Sequence, residues 1–338
     1  MTTQPHSHHP RLEAQSILPD GYEAYVLEPS PPASLDHPWF ADDPAWSTSQ
    51  QPASAGAALS VTPTSGGEVS WDQLAKTRFA DDPAAREFIA QRWLGNWGKL
   101  PDLPANYVTQ RLSAHRLAFG VISEARRLAA GEKIGLRWVR RGFGTPFFDN
   151  DQQVRLVGGE IVWQQGQGQT SQPVSTLRAA GEFLGVTPAE SQREHDSPEL
   201  GDLDEELELS AEANDFFGDW FGCAASAFEE LRLAGSNPED TRVQIWPGHF
   251  DMAIDLEEGE ARATYGASTG DAAESPEPYL YISPWETHVM VDRDFWNAKT
   301  FMGAVLTYQE LVASDSPSSH HAVLEFFQGG FEMLRSGV

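Results

Sequence analysis

One short run in the last third of the chain combines residue types that could do chemistry. Trp246-Pro247-Gly248-His249-Phe250-Asp251 sets an imidazole two residues from a carboxylate. If the chain is extended from His249 to Leu256, side chains two apart share a face. Phe250, Met252, Ile254 and Leu256 then make an apolar face, and His249, Asp251, Ala253 and Asp255 the opposite one. Residues 277–283 divide in the same way, Leu280 and Ile282 against Glu277, Tyr279, Tyr281 and Ser283. Placed in one sheet, the two segments gather an imidazole, carboxylates and two phenols on one face. Trp246 and Trp285 stand just beyond the strand ends. Antiparallel sheets often turn such a face to water. Aromatic walls with a few convergent polar groups describe a small-molecule pocket instead. The expected site has His249, Asp251, Asp271 and Glu277 as candidate catalytic groups, and Trp246, Tyr279, Tyr281 and Trp285 as ligand-binding walls.

Several chemistries suit these residues. His249 and Asp251, helped by Asp271, Glu277 or His288, have the donor types for zinc, manganese or iron. None of these residues falls in an H-x-H or H-E-x-x-H spacing, so metal and cofactor stay unknown. Asp251 and Glu277 facing each other, one with a raised pKa, would suit acid–base work on a sugar held by the aromatic rings. The pocket could also bind without catalysing. A further alternative is a serine hydrolase. Gly266-Ala267-Ser268-Thr269-Gly270 matches G-x-S-x-G, with Asp292 and then His320 or His321 to complete a triad. That mechanism needs a helix directly after the serine, and Pro276 and Pro278 follow here. The two histidines are expected to be exposed in a helix's first turn. The plainer expectation is a glycine-rich turn in which Asp271 bonds its own backbone.

A second cluster is basic. Between residues 111 and 141 there are eight Arg and Lys against Glu124 and Glu132. The turn Gly142-Phe143-Gly144-Thr145-Pro146 follows Arg137 and Arg140, and such a turn can hold an anion through backbone N–H groups and guanidinium forks. Arg137 and Arg140 are therefore candidate ligand-binding residues. The competing expectation is that these arginines pair with the acidic run 190–215, which holds eleven acids and one arginine. Cys223, the single cysteine, lies on a bulky apolar helix and is expected to be a buried small residue.

The elements that must position these residues divide into four stretches. Residues 1–70 form an N-terminal arm rich in Pro, Ser, Ala and Thr, expected to be mostly disordered or loop, with a short strand near Tyr22–Leu27. Residues 71–189 hold helices, a β-hairpin at Gly158-Gly159 and a helix from Val174 to Leu184. One long helix is expected from Asn106 to Ala130, with the stripe Val108, Leu112, His115, Phe119, Ile122 and Leu128, ended by Gly131. Residues 190–209 are expected as an acidic, solvated linker. Residues 210–338 carry a helix with Phe216, Phe217, Trp220 and Phe221 on its apolar face, then antiparallel strands with the candidate site, then a C-terminal helix. Strands cluster with strands, so the fold class is α+β: antiparallel sheet packed against several helices.

Composition bounds the partners. Lys and Arg number 23 and Asp and Glu 50, giving a formal charge of −27. That field opposes phosphate backbones and anionic lipid, so neither nucleic acid nor a membrane surface is the expected partner. The first ten residues lack an apolar stretch of the secretory kind, and the expected location is cytoplasmic. A small-molecule ligand leads, and a non-catalytic protein-interaction module using the acidic run and the Pro/Ser-rich arm is the alternative.

Four motifs taken together carry a resemblance. They are Ile134-Gly135-Leu136 with Gly142-Phe143-Gly144-Thr145-Pro146; Trp246-Pro247-Gly248-His249-Phe250-Asp251; Gly266-Ala267-Ser268-Thr269-Gly270-Asp271; and Pro276-Glu277-Pro278-Tyr279-Leu280-Tyr281. Over roughly residues 105–335 the chain resembles an uncharacterised bacterial family, a domain of unknown function marked by a Trp-Pro-x-His-Phe-Asp strand and a Gly-Asp…Pro-Glu-Pro-Tyr segment. The resemblance implies no activity. It implies an acidic or histidine side chain at position 248, where this chain has glycine.

Overall fold

The structure is a computed structural model that describes residues 98–131, 135–139, 141–145, 152–165, 168–194, 196–234, 243–258, 261–286 and 294–336. In the N-terminal part it describes three strands, β1 (Tyr25–Pro29), β2 (Leu59–Pro63) and β3 (Val69–Ser70). These pair antiparallel in the order β1-β2-β3, so part of the arm expected as loop is strand. The rest of the arm, with its expected disorder, lies outside the described residues. So do residues 71–97, where the first of the expected helices falls.

The long helix forms where its periodicity places it, with one interruption. α1 (Tyr107–Leu117) passes through a π turn (Ala118–Ile122) into α2 (Ser123–Ala130). Gly131 then ends it at φ 86°, a left-handed conformation open to glycine. Its buried face differs from the expected stripe. His115, Phe119 and Ile122 are buried as expected, but Val108, Leu112 and Leu128 are exposed, while Gln110, Arg111 and Ser113 are buried.

The first large sheet is a sequential meander: β4 (Arg137–Val139), β5 (Gly142–Gly144), β6 (Gln152–Val157), β7 (Glu160–Gln165) and β8 (Gly168–Pro173). The expected hairpin is present. Gly158 and Gly159 both take positive φ, 58° and 87°, as a two-residue turn between right-twisted strands requires. α3 (Leu177–Leu184) follows, capped by the Thr176 hydroxyl and closed by Gly185.

The acidic run is not the solvated linker expected for 190–209. Leu200 and Leu207 are buried, and the Leu207 N–H donates to the Ser175 carbonyl at 2.7 Å. Arg116 donates to the Asp202 carbonyl at 3.1 Å and to the Glu205 carboxylate at 2.7 Å. Leucines spaced among the acids anchor the segment to the body, and Arg116 of α1 pairs with its charge. Arg141 does the same with Asp215 at 2.8 Å.

α4 (Ala211–Ala234) runs between the sheets, packing on β4, β5 and β6 on one side and β10 (Asp251–Glu258) and β11 (Ala261–Ser268) on the other. Those last two belong to the second large sheet, with β9 (Gln244–Trp246), β12 (Tyr279–Pro284) and β13 (Ala304–Thr307), in the order β13-β12-β11-β10-β9. α5 (Tyr308–Ala313) starts on a Thr307/Glu310 capping box, and α6 (Ser319–Ser336) closes the chain against α4. The Leu136–Ile245 bridge, 2.9 and 2.8 Å in its two directions, joins the two sheets. One hydrophobic cluster runs from Leu100 to Leu334, so the stretches on either side of the acidic run share a core. The fold is α+β with antiparallel sheets, as the clustering of strands implies. Among the described residues no helix is long and apolar enough to cross a membrane.

Candidate functional site

The second sheet divides its faces as expected. Met252, Ile254, Leu256, Leu280 and Ile282 point into the core. The opposite face is ordered by register: Asp251 pairs Ser268, which pairs Tyr279, and one step along Ala253 pairs Gly266, which pairs Tyr281. His249 reaches this face by a different route from the one its spacing suggests. β10 begins at Asp251, and residues 247–250 form a turn in which the Phe250 N–H donates to the Trp246 carbonyl at 2.7 Å. Phe250 takes φ 55°, a left-handed conformation costing roughly 1–2 kcal/mol for a side-chain-bearing residue. Its ring is fully buried, 5.4 Å from His115 and 5.1 to 5.6 Å from Phe143, Phe217 and Phe221, and that packing holds the turn.

Two hollows adjoin on the polar face. The larger, about 640 Å³, is lined by His249, Asp251, Ser268, Asp271, Tyr279 and Tyr281 among others. The smaller, about 290 Å³, lies under Trp246 and Trp285 and shares His249, Asp251 and Tyr281 with the first. The larger falls within the ~300–1,000 Å³ of ordinary small-molecule sites. Two expectations fail here and a third is untested. Glu277 lines neither hollow and its carboxylate accepts from Gln309 at 3.2 Å, because the chain is still in a turn there and β12 starts only at Tyr279. Arg137 lines neither, since its guanidinium folds back to donate to the Gly135 carbonyl at 2.6 Å. Arg140 lies outside the described residues.

Asp251 is the centre of the arrangement. It is buried, and burial pushes its carboxyl above the usual carboxylate range against the pull of His249 and of a hydrogen bond from Tyr281. Its Oδ2 accepts from the Tyr281 hydroxyl. Its Oδ1 has no hydrogen-bond partner from another residue. The Tyr281 ring reaches Asp251 by lying across Gly266, where any Cβ would collide with it. His249 sits between two acids from the acidic run, its Nδ1 3.0 Å from Asp196 and its Nε2 3.3 Å from Glu194. Burial alone would lower its pKa, but Asp251, Glu194 and Asp196 together outweigh that and raise it. A Cβ at Gly248 would fall on the Glu194 carboxylate, so this glycine leaves room for an acid arriving from elsewhere in the chain.

Asp271 organises a loop. Its Oδ1 accepts from the N–H groups of Ala273 at 2.6 Å and Glu274 at 2.7 Å, and its Oδ2 from the Tyr279 hydroxyl. This is the self-bonded turn that the glycines and Asp271 suggested. Among the described residues the hydrolase geometry is absent. Ser268 Oγ accepts from the Gly270 N–H at 3.0 Å, and a turn follows instead of a helix. His320, expected to be exposed, is buried with Nδ1 2.8 Å from Ser226 Oγ, and His321 faces Glu325 at 3.3 Å. Asp292 and His288 lie outside the described residues. Among the described residues no three His, Cys, Asp or Glu side chains converge as metal ligands. Cys223 is buried, and its thiol is pushed up by that burial.

The sequence reading missed part of the site. Arg111 and His115 of α1 line the larger hollow, as does Asp196. His115 is buried, and burial followed by the Arg111 charge brings its pKa down to about 3. The ring is therefore neutral. Its Nε2–H points at the carbonyls of Pro247 at 3.0 Å and Gly248 at 3.1 Å, leaving Nδ1 as an acceptor. A usable signal was Tyr107-x-x-x-Arg111-x-x-x-His115, three polar-tipped side chains on one helix face. Comparison with protein-family models, curated proteins and solved structures gives no match.

Proposed function

We propose that the protein binds a polar small molecule in the larger hollow, with Asp251 and His249 as its polar centre and Tyr279 and Tyr281 as its walls. One observation carries this: Asp251 is buried on the wall of a 640 Å³ cavity with one carboxylate oxygen unpartnered. A buried polar oxygen left unmatched costs about 1–3 kcal/mol, and a ligand hydroxyl or amine would offset that. A thermal-shift screen of sugars, sugar acids, hydroxy acids and amino acids tests it. At least one compound should raise the melting temperature of the wild type, and Asp251→Asn and Tyr281→Phe should weaken its binding by about tenfold. No stabilising compound, or one indifferent to both substitutions, would refute the reading.

A proton-transfer role for the same pair is a second reading. Asp251 and His249 have their pKa values raised for different reasons, burial for one and surrounding carboxylates for the other. Adjacent groups tuned in this way suit acid–base work on a bound molecule. Conversion of a screen hit that is lost in His249→Gln, with its binding retained, would support it. In the interaction-module alternative the acidic run would act as a segment anchored by Leu200, Leu207 and Arg116, and the Pro/Ser-rich arm lies largely outside the described residues.

A further inference from the structure

On the wall of the hollow formed by α1, Tyr107, Arg111 and His115 follow one another at one-turn intervals along a single face. The outer two are tied to the end of the second sheet. The Tyr107 hydroxyl donates to the Thr269 carbonyl at 2.7 Å, and His115 donates to the Pro247-Gly248 carbonyls. The middle one differs. Arg111 is only 6% exposed, lines the larger hollow, and has an Nε with no hydrogen-bond partner. Among the described residues its guanidinium makes no hydrogen bond or ion pair. Asp271, whose charge reaches it, has both oxygens engaged by Ala273, Glu274 and Tyr279. Guanidinium is a fixed cation with five donors, and removing it from water without an acceptor is costly. Asp251, also 6% exposed, leaves Oδ1 unmatched in the same hollow. A guanidinium without an acceptor and a carboxyl oxygen without a donor from another residue thus share one cavity and do not pair with each other.

We propose that the ligand of this cavity carries an oxyanion group, a carboxylate or a phosphate, which Arg111 receives, and a hydroxyl or amine that Asp251 receives. This rests on the proposed small-molecule site and specifies its ligand class. The charge of −27 repels anions at long range. Salt screens that field beyond about 8 Å, whereas a desolvated guanidinium acts at contact. The Tyr279 and Tyr281 rings, 6.1 Å apart, flank the hollow and suit the apolar face of a hydroxylated carbon chain or ring.

The test uses acetate, inorganic phosphate and acetamide on the full chain, as wild type, Arg111→Met and Asp251→Asn, followed by thermal shift. Acetate or phosphate should stabilise the wild type and acetamide should not. Whichever of the two binds tighter identifies the oxyanion. Arg111→Met should lower that anion's affinity by about tenfold or more, while Asp251→Asn retains it. If Arg111→Met does not fold, the Arg111 Nε–H resonance of the wild type should move on titration with acetate or phosphate and not with acetamide. Anions that act no better than acetamide, or whose effect survives Arg111→Met, overturn the proposal. Asp251-dependent binding of a neutral compound indifferent to Arg111→Met would leave the site standing and remove this ligand class. Arg111-dependent anion binding with no Asp251-dependent compound in the screen would do the reverse.

Discussion

Helices α1 and α4 border the same core, but α1 buries a much larger share of polar side chains. α4 turns Phe217, Trp220, Phe221, Ala224 and Phe228 inward between the two large sheets, as its apolar period requires. α1 buries Tyr107, Ala114 and Leu117 and, beside them, Gln110, Arg111, Ser113 and His115, and leaves Val108 39% and Leu112 44% exposed. α4 meets apolar sheet faces on both sides. α1 meets the end of the second sheet, where carbonyls and a hollow await it. A helix that buries an arginine and an imidazole while exposing a valine and a leucine departs from simple packing, and such departures concentrate at functional sites.

The contrast can be tested by substitution. Trp220→Ala empties a fully buried ring site in α4. It should cost about 3–5 kcal/mol in urea unfolding and leave the affinity of any Asp251-dependent ligand unchanged in the folded fraction. Gly266→Ala drives a methyl into the Tyr281 ring. A loss of about 1–3 kcal/mol is expected, together with weaker ligand binding because Tyr281 leaves Asp251. If Gly266→Ala lost stability and kept full affinity, the Tyr281–Asp251 contact would not matter for binding.

His249→Gln gives a smaller, pH-dependent effect. The folded pKa of His249 is raised. Its contribution is therefore fully present below its ordinary value of about 6.5 and fades as pH rises through the folded value. The wild type should exceed His249→Gln in stability at about pH 5.5 by more than at about pH 9. The reverse order would mean that burial outweighs the carboxylates. Leu112→Ser should be the mildest, within about 0.5 kcal/mol of wild type. A large loss would show that α1 packs by its apolar stripe after all.

The α+β class, the Gly158-Gly159 hairpin, the Gly131 stop and the faces of β10 and β12 were legible because each depends on local periodicity or one glycine's freedom. The starting residue of β10 was not. Alternation extends back through Phe250 to His249, but Phe250 is held at positive φ by rings from α1, β5 and α4. No local pattern encodes that packing. The grouping of Asp251, Tyr279 and Tyr281 could be read from two-residue spacing, whereas Glu277 was misplaced by extending that spacing into a turn. Arg111 was hidden because α1 was read by its apolar period, and His115, which that period did place inward, was not tied to the site. Glu194 and Asp196 were hidden because a run of acids resembles a solvated face until the leucines within it are seen to dock.

The most direct measurement is the crystal structure of the protein with a compound that stabilises it in the screen. The account places that compound in the larger hollow, with an oxyanion on Arg111 and a hydroxyl or amine on Asp251 Oδ1. A compound bound elsewhere, with Arg111 and Asp251 untouched, would contradict it.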